Sequence, residues 1–98
     1  MYDRYDRPGG LLIYGIPNFK LEKYVVERRT QLLKDSGIKF VQNFEVGKDK
    51  TLDQLRDKHD AVLIATGVYK AKEIKIPGQD LKNIFPAMEF LTASNKKG

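Results

Sequence analysis

The chain has 98 residues, 41% of them hydrophobic, with no cysteine and a formal net charge of +5. That length makes one small domain, or part of a larger one, with a modest core, and the missing cysteine excludes disulfides, thiolate zinc and iron–sulfur ligation within it. No apolar run approaches the ~20 residues of a membrane span, and Met1-Tyr-Asp-Arg-Tyr-Asp-Arg7 carries no signal-peptide apolar region, so the expected location is cytoplasmic with no membrane partner. Basic and acidic residues are interleaved except at Lys96-Lys97, which reads as a solvated surface with a basic tail rather than a groove for nucleic acid.

In chain order, the polar start closes with Pro8-Gly-Gly10 and reads as a loop. Leu11-Leu-Ile-Tyr-Gly-Ile-Pro-Asn18 is apolar but broken by Gly15 and Pro17, so it reads as a loop that needs cover from other protein or from a flat apolar ligand. From Leu21 the spacing becomes helical: Leu21, Val25, Val26, Leu32 and Leu33 form a stripe, and Gly37 supplies a stop. Alternation over residues 38–46 places Ile38, Phe40, Phe44 and Val46 on one face of a predicted strand. Thr51-Leu-Asp-Gln54 fits a capping box that opens a short helix to about Lys58.

The sequence then reaches Asp60-Ala-Val-Leu-Ile-Ala-Thr-Gly67, an unbroken apolar run between an acidic start and a glycine stop. Apolar on both faces and too short for a helix, it reads as a buried parallel strand, and Thr66-Gly67 would let a backbone or ligand approach its carboxyl end. Residues 68–76 alternate weakly up to the Pro77-Gly78 turn; Pro86 suits the first position of a last helix through Ala93, and Asn95-Lys-Lys-Gly98 reads as a disordered tail.

Chemistry-bearing residues are sparse. His59 is the only histidine, has no companions for a triad or metal, and reads as solvent-facing. Tyr69 and Lys70 would point to opposite faces of an extended segment, so they make no acid–base pair. No Gly-x-Gly-x-x-Gly and no phosphate-binding Gly-x-x-x-x-Gly-Lys-Ser/Thr occurs. Asp3 gains meaning if it ends a strand, where dinucleotide-binding folds place a carboxylate for a ribose. No catalytic residue and no metal ligand emerges.

Tyr2-Asp-Arg4, Pro8-Gly-Gly-Leu-Leu-Ile-Tyr-Gly-Ile-Pro-Asn-Phe-Lys-Leu-Glu22, Val25-Val-Glu-Arg-Arg29, Asp60-Ala-Val-Leu-Ile-Ala-Thr-Gly67 and Pro86-Ala-Met-Glu-Phe-Leu-Thr-Ala-Ser-Asn95 together resemble the small subunit of NADPH-dependent glutamate synthase, over essentially the whole chain. More distant similarity runs to the flavin domain of dihydropyrimidine dehydrogenase and to adrenodoxin reductase. The resemblance implies an α/β fold: residues 1–98 as a single partial Rossmann-like, three-layer FAD-binding domain with parallel strands, lacking the N-terminal strand–helix unit that binds phosphate. It implies a flavoprotein moving electrons from NADPH through FAD and iron–sulfur clusters to a large subunit that makes glutamate, with NADPH and the clusters held outside these residues. It also implies cofactor-binding roles for Asp3 on the ribose, for Gly9, Gly10 and Leu11 along the cofactor, for Val46 at the adenine, and for Ala65, Thr66 and Gly67 beside the dinucleotide. The strand ending near Asp3 would lie beside residues 38–46. The isolated chain is then expected to be inactive and marginally stable or self-associating. A competing reading is a small non-catalytic interaction module, monomeric or dimeric, that keeps the flavoprotein framework and buries Leu11, Leu12 and Ile13 against a partner.

Overall fold

A computed structural model describes residues 1–97. Helix α1 spans Leu11–Tyr14, α2 Lys23–Asp35, α3 Leu52–Lys58 and α4 Ala87–Lys97. No strand longer than an isolated bridge occurs among the described residues. The expected Rossmann-like sheet is therefore corrected to a small helical cluster with extended arms.

The cluster is built on α1. Ile13, only 1% exposed, packs with Tyr14 and Val26, and Tyr5 and Leu21 close the edges. The apolar stretch read as a loop thus contains one helical turn, and its Ile13 is covered by this chain's own α2. Lys23 stabilises the turn from α2: its ammonium donates to the carbonyl of Leu12 at 3.0 Å and to that of Ile16, groups that a one-turn helix leaves free. Burial lowers the pKa of this ammonium, with the nearby Arg7 charge adding to the effect.

Helix α2 follows its predicted stripe only in part. Val26 is buried and Leu21 and Val25 are half-buried, but Leu32 and Leu33 are exposed because a single turn of α1 reaches no further. Its end is as expected: Ile38 N–H donates to Leu33 O at 3.1 Å and Gly37 N–H to Lys34 O at 3.0 Å, a Schellman closure. The capping box of α3 forms as read, with Gln54 N–H to Thr51 Oγ1 at 3.2 Å and Thr51 N–H to Gln54 Oε1 at 2.9 Å. Helix α4 begins after Pro86 but runs on through Asn95, Lys96 and Lys97, read with Gly98 as a disordered tail; Gly98 lies outside the described residues. Asn95 is buried there and its amide donates to Tyr14 O at 2.9 Å, a contact 81 positions apart in the chain.

The predicted strand over 38–46 is reduced to a narrow parallel pairing with the N-terminus. Tyr2 and Val41 form a bridge, Val41 N–H donates to Met1 O at 2.8 Å, Asp3 N–H to Val41 O at 3.0 Å and Phe44 N–H to Asp3 O at 2.9 Å. Tyr2 packs on Phe44 with ring centroids 4.7 Å apart, and its hydroxyl meets Nε2 of His59 at 3.0 Å, so exposed His59 has a protein partner.

Residues 60–67, read as a buried strand, are not buried and pair with no backbone among the described residues; Leu63 is 89% exposed. An extended segment becomes a strand only when another backbone satisfies its N–H and C=O groups, and here none does. Residues 68–76 likewise form no strand. The chain is correspondingly open: its surface is 8443 Å² and its radius of gyration 16.5 Å. A closed domain of this mass would show roughly 5,700 Å² and about 13 Å.

Replacing Thr51 with alanine removes one half of the capping box and is expected to destabilise α3 by ~1 kcal/mol. Amide hydrogen exchange over α3 should accelerate about fivefold while α2 keeps its protection; unchanged exchange at Gln54 would show that the cap contributes nothing.

Candidate functional site

Two glycine turns, 57 positions apart in Gly10 and Gly67, come together beside one tyrosine. The first precedes α1. Gly9 adopts φ +123°, and a Cβ there would lie 2.8 Å from Val26 Cγ1 and 3.1 Å from Ile13 Cβ, so only glycine fits both the backbone angle and the space. Its carbonyl accepts from Leu12 N–H at 3.0 Å, while Gly10 O accepts from Ile13 and Tyr14 at 3.2 and 3.0 Å. Leu11 follows at the surface, half exposed.

The second turn ends the apolar run. Ala65 and Thr66 are exposed, and Gly67 takes φ +69°, in the left-handed region; a Cβ on it would meet Cε2 of Tyr69, two residues on, at 3.3 Å. A Cβ on Gly10 would lie 3.7 Å from the Tyr69 hydroxyl. Around this ring stand Tyr5, with its centroid 6.0 Å away, and Arg4, whose guanidinium carbon is 5.4 Å from the Tyr69 centroid and 5.3 Å from that of Tyr5. Arg4, Tyr5 and Tyr69 form one wall of a groove of about 360 Å³; Met88, Glu89, Thr92 and Lys96 of α4 are on the other.

Asp3 sits one residue before this wall. Its Oδ1 accepts Tyr5 N–H at 3.1 Å, which fixes the bend that carries Arg4 and Tyr5 into the groove and leaves the carboxylate further lone pairs. Val46 stands apart on a turn closed by Gly47 N–H to Lys50 O at 2.7 Å. Its neighbour Glu45 lines a second hollow, of about 490 Å³, with Arg4, Tyr5, Asn43, Lys48 and Asp49. The structure thus gathers Asp3, Gly10 and Gly67 around Arg4, Tyr5 and Tyr69, and leaves Val46 on the flank. Sequence reasoning passed over Arg4 and Tyr5, and it weighed Tyr69 only as a proton-transfer partner of Lys70.

Behind the groove lies a charged knot. The Tyr14 hydroxyl donates to Asp6 Oδ1; Arg7 and Lys96 lie 5.8 and 5.6 Å from the Tyr14 ring centroid, and Arg7 pairs with Glu27 at 3.0 Å. Burial, reinforced by the hydrogen bond to Asp6, pushes the Tyr14 phenol up to about 12. The same bond lowers the Asp6 carboxyl below its ordinary value. No group of three potential metal ligands occurs among the described residues, and no described helix is long and apolar enough to cross a membrane.

No protein-family model matches the sequence. It is 65% identical, over 98% of its length, to 20% of the glutamate synthase (NADPH) small chain of Azospirillum brasilense. The sequence is homologous to a segment of the glutamate synthase small chain. The glutamate synthase (NADPH) small chain of Bacillus subtilis is 50% identical over 98% of this chain and 20% of its own, and the glutamate synthase (NADH) of Schizosaccharomyces pombe is 53% identical over 98% of this chain and 5% of its own. The chain thus spans about a fifth, or less, of the length of these relatives. The matched stretch includes the two glycines, Asp3 and the Arg4–Tyr5–Tyr69 wall. A cation beside two aromatic faces, with a carboxylate one residue away, suits a ligand that carries both hydroxyl and anionic groups.

The raised pKa of Tyr14 makes a signed prediction. A folded-state value above the unfolded one of about 10 means that stability from the neutral phenol is complete below that pH and is lost as pH rises through about 12. Tyrosinate absorbance should show Tyr14 ionising near 12, and Asp6→Asn should move that step downward by removing the carboxylate that holds the proton. A Tyr14 step unmoved in Asp6→Asn would leave burial as the sole cause.

Proposed function

We propose that this small-chain segment supplies part of an FAD site in an NADPH-dependent glutamate synthase subunit. The observation that carries the reading is the meeting of the Gly10 and Gly67 turns beside Tyr69 and Arg4, with Asp3 adjacent. Asp3 would accept hydrogen bonds from the adenosine ribose, and Gly9, Gly10 and Leu11 would let backbone approach the cofactor. Val46 would meet the adenine through its backbone, and Ala65, Thr66 and Gly67 would border the dinucleotide. Bound FAD supplies hydride acceptance from NADPH and release of electrons; this chain's residues position it. No residue of the segment is assigned a proton-transfer role.

With no cysteine and no glycine-rich phosphate loop in the 98 residues, iron–sulfur ligation, pyrophosphate neutralisation and NADPH binding would fall on this reading to polypeptide outside them. Electrons would leave toward the large subunit of glutamate synthase. The NADPH and NADH in the relatives' names, at 65% and 53% identity, suit a segment that holds the flavin rather than selecting the nicotinamide nucleotide. The reading as a stand-alone interaction module loses part of its anchor, because Ile13, one of the three residues it would bury against a partner, is buried within the chain.

The test is to transplant residues 1–98 into the Azospirillum brasilense small chain in place of its homologous stretch. A yellow protein with one flavin per chain that oxidises NADPH is expected, whereas the isolated 98-residue chain should purify without stoichiometric flavin. A folded but colourless hybrid overturns the proposal. In the hybrid, Gly67→Val places a side chain at φ +69° and against Tyr69. A strain of ~1–3 kcal/mol corresponds to a roughly 5- to 150-fold loss of flavin affinity, and full retention would reduce Gly67 to a chain terminator.

A further inference from the structure

We propose that Tyr69 is a positioning residue that pins the Gly67 turn against the Gly10 turn, so that the two backbones border one ligand. This role rests on the flavin reading above. From Arg56 to Pro77, Tyr69 is the one residue that is not exposed; its neighbour Val68 is 92% exposed. No backbone hydrogen bond among the described residues ties residues 60–73 to the helical cluster. What joins this arm to the cluster there is the Tyr69 ring, seated between the glycine backbones and flanked by Arg4 and Tyr5.

The contact is one of packing and of cation to ring, not a proton transfer. Both glycines approach atoms of the ring system, Cε2 on the Gly67 side and the hydroxyl oxygen on the Gly10 side, and the Arg4 guanidinium gains from the negative face of the ring. The hydroxyl, the Tyr69 atom nearest Gly10, has no hydrogen-bond partner among the described residues, whereas the ring meets Gly67, Arg4 and Tyr5, so a phenyl ring should keep most of the attachment. Without a ring, the arm loses its attachment and the two turns drift apart. Tyr69 lies outside the Ile13–Tyr14–Val26 core, so its removal should spare the helices.

Two measurements test this. In the 98-residue chain, nuclear Overhauser effects are expected from the Tyr69 ring protons to the α-protons of Gly10 and Gly67, and their absence overturns the pin. In the hybrid small chain, Tyr69→Ala should weaken flavin binding by roughly tenfold with helical circular dichroism preserved, and Tyr69→Phe, which keeps the ring's contacts with Gly67, Arg4 and Tyr5, should restore most of it. Wild-type flavin affinity in Tyr69→Ala, or failure of Tyr69→Phe to rescue, overturns ring-mediated positioning while leaving the flavin reading intact. A colourless wild-type hybrid instead overturns the flavin reading and, with it, the purpose assigned to Tyr69.

Discussion

The helical cluster depends on one close approach, that of the Gly9 backbone to Val26. At 2.8 Å from a would-be Cβ to the valine methyl, α1 and α2 are nearer than any other residue at that position would allow. That proximity lets a single helical turn bury Ile13 and brings the Leu12 and Ile16 carbonyls within reach of Lys23. A four-residue helix has no cooperative length of its own; its order comes from the neighbours that the glycine admits.

The same turn ties together the two ends of the sequence. Tyr14 offers its carbonyl to Asn95, its hydroxyl to Asp6 and its ring to Arg7 and Lys96. The cations approach the ring face while the carboxylate takes the phenolic proton, so every part of the side chain meets a group of suitable polarity. The N-terminal wall of the groove and the α4 wall are thereby set on a common support.

What was legible in the sequence was local. The Thr51 to Gln54 capping box and the Gly37 stop are decided within a few residues and formed as read, and the helix expected from Leu21 formed as Lys23–Asp35, though only part of its apolar stripe is covered. The expected strand at residues 60–67 failed because strand formation is settled by a partner backbone and not by apolar content. The buried Asn95 was hidden for a similar reason: its partner is 81 positions away. In the site, the glycines and Asp3 stood out through the resemblance to a flavoprotein subunit, whereas Arg4, Tyr5 and Tyr69 became visible only once folding had brought distant residues side by side. The identity of those aromatic residues carried no signal; their grouping did.

The uncovered run Val62-Leu-Ile64 has a consequence for the chain while it is being made. Short β-branched and apolar stretches with free backbone groups are the segments that pair between molecules in a crowded nascent pool. Here the run follows Asp57, Lys58 and Asp60 and precedes Lys70, Lys72 and Lys75. Such flanking charges act as gatekeepers: stacking copies in register would bring like charges together at both ends of the run, which slows fibril-like association.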